Sequence, residues 1–233
     1  MLVHSPLVGP TTWSPVAREL ERRGRLAVLP SLLGITSARP PQWRHCAEAV
    51  RAATEGIAEP LVLVGHSGAG PLLPVVAEAP DAEIAALAFV DAFLPPPHGS
   101  AQLAPPGFMD QLEALATNGV LPPWSSWFGE EWIRELVPDR AVRSALEQEM
   151  PRLPLDYFEA RVPMPDGWDD RPCGYVLFAR DTYRESAADA RRRGWPVAEI
   201  PGAHHLSQVT DPLAVSDALL DLERELVGPR ARG

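Results

Sequence analysis

The chain has 233 residues, of which 45% are hydrophobic and 22% charged, as expected for one soluble globular domain. The net charge of −10 disfavours nucleic acid and anionic membranes as partners, because both attract basic surfaces. The two cysteines are too few for a disulfide framework, and no group of residues has metal-ligand spacing. We therefore expect a small molecule as the partner, with no metal and no cofactor.

The longest apolar runs are far shorter than the ~20 residues that cross a bilayer. The N-terminal residues show no basic region ahead of an apolar stretch, so we expect no signal peptide. All the basic side chains are arginine and none is lysine, which fits a bacterial genome of high GC content. These features predict a cytoplasmic bacterial protein whose mechanism does not use a lysine amine.

Apolar runs typical of strands alternate with helical patterns in the first 91 residues. Strands are predicted at 2–4, 26–30, 60–64 and 84–91, and helices at 12–23, 41–55 and 68–79. The alternation resumes near the C-terminus, with strands at 174–179 and 197–200 and helices at 184–193 and 212–226. This rhythm predicts an α/β fold with a mostly parallel sheet of about six strands, flanked by helices.

The rhythm is interrupted between residues 92 and 172, where no convincing strand pattern occurs. Helical patterns in this part are predicted at 108–117, 130–136, 139–149 and 155–160. An insertion of this length between two strands of one sheet is typical of a lid over the strand ends. We therefore predict one structural unit, with residues 1–91 and 173–233 as the core and residues 92–172 as a helical lid.

Ser67 is the strongest candidate for a reactive residue. The predicted strand 60–64 runs into Gly65, His66, Ser67, Gly68 and Ala69, and a helical pattern follows. A serine on such a tight turn adopts strained backbone angles, so small residues are needed two positions before and after it. The positive end of the helix dipole then favours negative charge beside the serine, and the N–H group of Gly68 points to where an oxyanion would form.

With this elbow the sequence resembles the α/β-hydrolase superfamily over nearly its whole length, and most of all its compact methylesterase and hydroxynitrile lyase branch with bacterial relatives. The matching pieces are Leu2, Val3 and His4 with Gly9 and Trp13, residues 65–69, residues 90–95, and residues 201–205 followed by Asp211 and Pro212.

The resemblance implies a Ser-His-Asp triad in which the acid follows Ser67 and the histidine comes last. In the family the histidine stands seven residues before the proline of an acidic-Pro pair, which indicates His205 as the base and leaves His204 as the alternative. The acid follows a late strand, which indicates Asp181; Asp91 is the alternative, since some members carry the acid one strand earlier.

The sequence departs from the family at the loop after the first strand, where the usual pattern is His-Gly-x and the N–H group of x binds the oxyanion. Here the loop reads His4, Ser5, Pro6, Leu7, and proline has no N–H group. Either the Leu7 N–H group or the Ser5 hydroxyl replaces the missing donor, or the oxyanion hole is incomplete.

A second departure lies next to the catalytic histidine, where hydroxynitrile lyases use a lysine. Leu206 occupies that position, which disfavours their reaction.

The predicted lid is rich in tryptophan, and its aromatic residues either line a pocket or hold the lid to the core. We expect Trp127, Phe128 and Trp132 to face a ligand, with Phe128 and Trp132 on one helix face. Pro6 and His66, on either side of the reactive region, complete the predicted substrate-binding residues.

These features predict a serine hydrolase, esterase-like, that cleaves an ester, thioester or lactone of a small and fairly apolar substrate. The departure at Pro6 leaves a second hypothesis open: a cyclase, isomerase or lyase that uses the same pocket without hydrolysis. A ligand-binding module without chemistry is a third, which the apparently complete triad disfavours.

Overall fold

The computed structural model describes residues 1–104 and 107–228. Its strands, within these residues, are β1 (Leu2–Val3), β2 (Leu61–His66), β3 (Ile84–Val90), β4 (Ser100–Gln102), β5 (Arg161–Pro163), β6 (Cys173–Leu177) and β7 (Val197–Glu199). Five of them form a parallel sheet in the order β1-β2-β3-β6-β7, and β4 pairs with β5 in an antiparallel ribbon. The carboxyl ends of the parallel strands therefore meet at one edge of the sheet, where ligand sites form in such folds.

Helices connect the strands and cover both faces of the sheet. The α-helices of the described residues are α1 (Ser14–Arg22), α2 (Trp43–Ala53), α3 (Leu73–Ala77), α4 (Met109–Leu115), α5 (Glu130–Leu136), α6 (Arg140–Gln148), α7 (Asp156–Glu159), α8 (Arg180–Arg192), α9 (Ser207–Thr210) and α10 (Pro212–Val227). Short 3-10 helices lie at Pro10–Thr12, Leu33–Ser37, Ser67–Leu72 and Trp124–Ser126. None of the helices in the described part of the chain is long and apolar enough to cross a membrane.

Side chains alternate between the two faces of the central strands, and each face has its own apolar core. Leu63 of β2 lies beside Leu87 of β3 in the larger cluster, while Val64 and Ala88, the next pair along, belong to the smaller one. The smaller cluster also contains residues of α1 and α10, which pack against each other. Both faces of the sheet are thus buried, as parallel sheets require.

Within the described residues the sheet has five strands, close to the predicted number of about six. Residues 26–30 form no strand, although the Leu2 N–H group donates a hydrogen bond of 2.8 Å to the Val28 carbonyl. The neighbouring β1 is only two residues long, and Leu26 is 62% exposed. A longer ladder would also require an N–H group that Pro30 lacks.

The segment between β3 and β6, residues 92–172, contains α4 to α7. The helix α5 has the predicted bounds, and the other three begin and end one or two residues inside theirs. It also holds the ribbon of β4 and β5, which the sequence analysis missed because three-residue strands leave no readable alternation. Buried side chains of this segment, such as Leu121 and Trp127, belong to the same core cluster as Leu63 of the sheet. The segment is therefore packed onto the core.

Candidate active site

Ser67 follows β2 directly and has a positive φ of 55°, the strained conformation expected of a serine on a sharp turn. The adjoining glycines have no room for a side chain. A Cβ atom on Gly65 would lie 2.7 Å from the Leu73 side chain, and one on Gly70 would lie 2.6 Å from the Phe93 carbonyl oxygen. The small residues are thus needed for close packing around the turn.

The predicted helix at 68–79 is divided in the structure. A 3-10 helix runs over Ser67–Leu72, and α3 follows over Leu73–Ala77. Pro71 lies inside the 3-10 helix and Pro74 at the start of α3, where a missing N–H group is tolerated. The break leaves Ser67 and Gly68 at a helix N-terminus, as expected from the sequence.

His205 lies beside Ser67, on the loop between β7 and α9. Its Nε2 atom is 3.0 Å from the Ser67 hydroxyl oxygen, and its Nδ1 atom is 2.7 Å from Oδ2 of Asp91. Because the ionised carboxylate accepts, Nδ1 carries the proton and Nε2 is free to accept from the serine hydroxyl. A hydroxyl, an imidazole and a carboxylate are therefore joined in one hydrogen-bonded chain.

The carboxylate in this chain is that of Asp91, whereas the sequence analysis favoured Asp181. Asp91 follows β3 directly and is fully buried, and its Oδ1 atom accepts hydrogen bonds of 2.9 Å from the N–H groups of Phe178 and Ala179. α8 begins at Arg180, four residues earlier than predicted, so that Asp181 lies exposed in its first turn. The early helix start removes Asp181 from the loop on which it would have met His205.

His204, the alternative base, makes its hydrogen bonds away from the serine. Its Nδ1 atom accepts from the Leu206 N–H group, and its Nε2 atom lies 3.1 Å from the Thr210 hydroxyl. Burial, followed by the neighbouring His205, lowers the pKa of His204. His204 lines the pocket wall but does not contact Ser67 through a hydrogen bond.

The two other histidines near the turn are buried and neutral. The His66 Nε2–H group donates to the His205 carbonyl at 2.9 Å, and burial, aided by His205, lowers the pKa of His66 well below its ordinary value. His4 accepts from the Leu32 N–H group and donates to the Ser5 carbonyl, and burial lowers its pKa to about 4. Both side chains support the loops that carry the site.

The oxyanion candidates lie together at the start of the 3-10 helix. The Leu7 N–H group donates to the Ser5 hydroxyl oxygen at 3.3 Å. That oxygen faces Gly68, because a Cβ atom added to Gly68 would lie 2.9 Å from it. Ser5 is buried, and Pro6 lies on the pocket wall between these residues.

A cavity of about 470 Å3 opens above Ser67 and His205. The predicted residues Pro6, Trp127, Phe128 and Trp132 line it, and the rings of Phe128 and Trp132 lie 4.8 Å apart. His66 lines only a smaller adjoining cavity of about 10 Å3, so its predicted contact with substrate in the main cavity is not seen. Arginine, aspartate and glutamate are all missing from the described residues that line the main cavity.

Two aromatic residues that the sequence analysis did not select lie directly against His205. The Tyr183 ring stacks on the imidazole, with centroids 5.2 Å apart and an angle of 13° between the planes, and the Trp124 ring meets it edge-on at 5.8 Å. Trp124 belongs to the tryptophan-rich segment already singled out. Tyr183 left no comparable signal, because its role depends on where α8 begins.

The model of the alpha/beta hydrolase family matches residues 1–218 of the chain. The chain belongs to this family. The resemblance and the fold class expected from the sequence are thereby confirmed, and the prediction of an α/β-hydrolase-fold enzyme is confirmed at the level of the family. A comparison with curated protein sequences gives no significant match.

Solved structures with the same family fold cover almost the whole chain. An extracellular alpha/beta-hydrolase from a Paenibacillus species is 16% identical with a TM-score of 0.70, over 95% of this chain and 97% of that chain. Polyneuridine aldehyde esterase is 20% identical with a TM-score of 0.69 over the same shares. A methylesterase protein from Arabidopsis is 16% identical with a TM-score of 0.66, over 97% and 99%.

Proposed function

We propose that the protein is a serine hydrolase that cleaves an ester, thioester or lactone of a small, neutral and apolar substrate. The observation that carries the proposal is the hydrogen-bonded chain from Asp91 through His205 to Ser67. A serine hydroxyl is a weak nucleophile until a base accepts its proton, and His205 is within reach to do so. Esterases among the structures that share the fold agree with this class of reaction.

In the proposed reaction, the Ser67 oxygen attacks the substrate carbonyl carbon while its proton passes to Nε2 of His205. The imidazolium then donates that proton to the leaving oxygen or sulfur, and an acyl group remains on Ser67. Water, activated by the same imidazole, releases the acid. Asp91 keeps its charge throughout, orients the ring and stabilises the imidazolium.

The oxyanion is held, in this proposal, by the Gly68 N–H group and the Ser5 hydroxyl. The first N–H groups of a helix have no partner inside it, so that of Gly68 is available. The Ser5 oxygen accepts from Leu7, which leaves its own proton for another acceptor. The Ser5 hydroxyl thus replaces the N–H group that Pro6 cannot supply, and Leu7 acts through Ser5.

The substrate class follows from the composition of the cavity wall. The wall is aromatic and apolar, and the titratable side chains among its described residues are Tyr157, Tyr183, His204 and His205. A charged substrate would lose its hydration there without gaining an ion-pair partner, which is costly. We propose that residues 92–172 act as a lid, since Trp124, Trp127 and Trp132 form part of this wall.

A fluorophosphonate probe tests the proposed nucleophile. We expect mass spectrometry to find the label on Ser67, and Ser67→Ala to lose both the label and the hydrolysis of 4-nitrophenyl butyrate. The carboxylate analogue, 4-nitrophenyl hydrogen succinate, should be a poorer substrate. A folded protein that leaves the probe unreacted, or a Ser67→Ala variant with full activity, would rule the hydrolase out.

The second candidate function is a cyclase, isomerase or lyase that uses the same pocket, and Pro6 is the observation that favours it. An oxyanion hole that lacks one backbone N–H group supports hydrolysis less well, because each such donor raises the rate by about 10²–10³-fold. Reaction in ¹⁸O-labelled water separates the candidates. Hydrolysis places one labelled oxygen in the acid product, whereas isomerisation, cyclisation without water or elimination places none.

A further inference from the structure

Tyr183 occupies a place next to the reactive residues that the proposed triad does not use. It lies in the first turn of α8, and only 7% of the residue is exposed. It lines the same cavity as Ser67 and His205. Phe93 packs against it at a centroid distance of 5.0 Å, which restricts the orientation of the phenol ring.

The ring of Tyr183 meets the base of the triad face to face. Its plane makes an angle of 13° with the imidazole of His205, with 5.2 Å between centroids. The titratable groups around the imidazole are the Asp91 carboxylate at Nδ1 and the neighbouring His66 and His204. One face of the imidazole therefore lies against the phenol ring.

On the basis of the proposed function, we infer that Tyr183 is a positioning residue whose ring stabilises the charged form of His205 as Ser67 attacks. When the serine proton moves to Nε2 of His205, the oxygen pair forms the new bond to the carbonyl carbon and the carbonyl π electrons move to its oxygen. The imidazole becomes an imidazolium in this step, and the face of the Tyr183 ring stabilises it by a cation–π contact.

The phenol of Tyr183 stays neutral in this place. Burial, and next the negative charge of Asp91, raise the pKa of Tyr183 well above its ordinary value. The ring therefore presents the face of a neutral phenol to the imidazolium.

Two substitutions separate the ring from the hydroxyl. Tyr183→Phe keeps the stack on His205, and Tyr183→Leu removes it. The exposed neighbour on the same helix gives the control, Arg184→Ala. The measurements are the rate of Ser67 labelling by a fluorophosphonate as a function of pH, kcat and KM for 4-nitrophenyl butyrate, and the melting temperature.

We expect Tyr183→Phe to label at close to the wild-type rate and with the wild-type pH profile, because it keeps the ring. Tyr183→Leu should label about 2-fold to 30-fold more slowly, the range for one cation–π contact. Its labelling profile should also shift to lower pH, because the imidazolium loses its ring partner. Arg184→Ala should behave as the wild type.

An unshifted profile in Tyr183→Leu would overturn the role of the ring, and so would a profile in Tyr183→Phe that shifts as far as that of Tyr183→Leu. In both cases the wild type still labels on Ser67, so the proposed hydrolase stands. If the wild type does not label, the proposed function itself fails.

Discussion

Asp91 and Ser67 hold strained backbone conformations at the two ends of one hydrogen-bonded chain. Their φ angles are 44° and 55°, in the left-handed region that side chains other than glycine rarely adopt. Each such residue costs about 1–3 kcal/mol, which the surrounding structure must offset. For Asp91 the offset comes from three N–H donors, those of Phe178, Ala179 and His205.

Substitution of Asp91 and of Asp181 distinguishes the two candidates for the acid of the triad. Asp91→Asn should lower kcat/KM by about 10³–10⁴-fold, because the neutral amide no longer holds the His205 Nδ1 proton or stabilises the imidazolium. Asp181→Asn, which changes an exposed residue in the first turn of α8, should stay within twofold of the wild type. Steady-state hydrolysis of a nitrophenyl ester measures both. A large loss in Asp181→Asn with an active Asp91→Asn would restore the assignment made from the sequence.

The sequence could not choose between these two aspartates, because each stands at or just after the end of an apolar strand. The choice depends on which strand ends lie next to each other and on where α8 begins. Because β3 pairs with β6 in the sheet, the carboxylate of Asp91 lies beside the chain that follows β6. It accepts hydrogen bonds there from the N–H groups of Phe178 and Ala179. These two strands are far apart in the chain, and a local sequence pattern does not predict which distant strands pair.

At the scale of elements, the site depends on the close approach of the turn after β2 to the chain that follows β3. Gly70, in the 3-10 helix, lies so near the Phe93 carbonyl that an added Cβ atom would be 2.6 Å from its oxygen. The same addition at Gly65 meets only the side chain of Leu73. A side chain can rotate aside, whereas a backbone carbonyl at the cavity wall cannot move without shifting the strand end.

We therefore expect Gly70→Ala to destabilise the fold more than Gly65→Ala does, with a loss of about 1–3 kcal/mol or more for the former. Urea unfolding followed by circular dichroism gives the two free energies of unfolding. Because Gly70 lies one turn from Ser67, Gly70→Ala should also slow the labelling of the serine. Equal stabilities for Gly70→Ala and the wild type would mean that the approach of the two elements is looser than the structure shows.

Over the whole molecule, the buried histidines link folding to pH. His4 has a pKa of about 4 in the folded chain and that of His66 lies well below its ordinary value, against 6.5 for both when unfolded. Below about pH 6.5 the unfolded chain therefore binds protons at these two histidines, whereas the folded chain does not. Stability is complete above about pH 6.5 and falls as the pH is lowered towards 4, by on the order of 3 kcal/mol for His4.

The variant His4→Asn tests this dependence, since the amide can still donate near the Nδ1 position but does not titrate. We expect its free energy of unfolding to fall less steeply than that of the wild type between pH 6.5 and 4. His98→Asn, at an exposed loop histidine, should keep the wild-type slope. Parallel slopes for His4→Asn and the wild type would show that His4 is not held neutral by the fold.

The sequence by itself determined the alternation of strands and helices and the turn that carries Ser67. These are local properties, fixed by apolar periodicity and by the small residues around a strained serine. The resemblance to the family, through the spacing to Pro212, indicated His205. Tertiary structure alone decided that Asp91 faces His205, that residues 26–30 stay outside the sheet, and that Tyr183 stacks on the imidazole. Each of these depends on which strand ends and helix starts come together in space, and residues far apart in the chain settle that by packing.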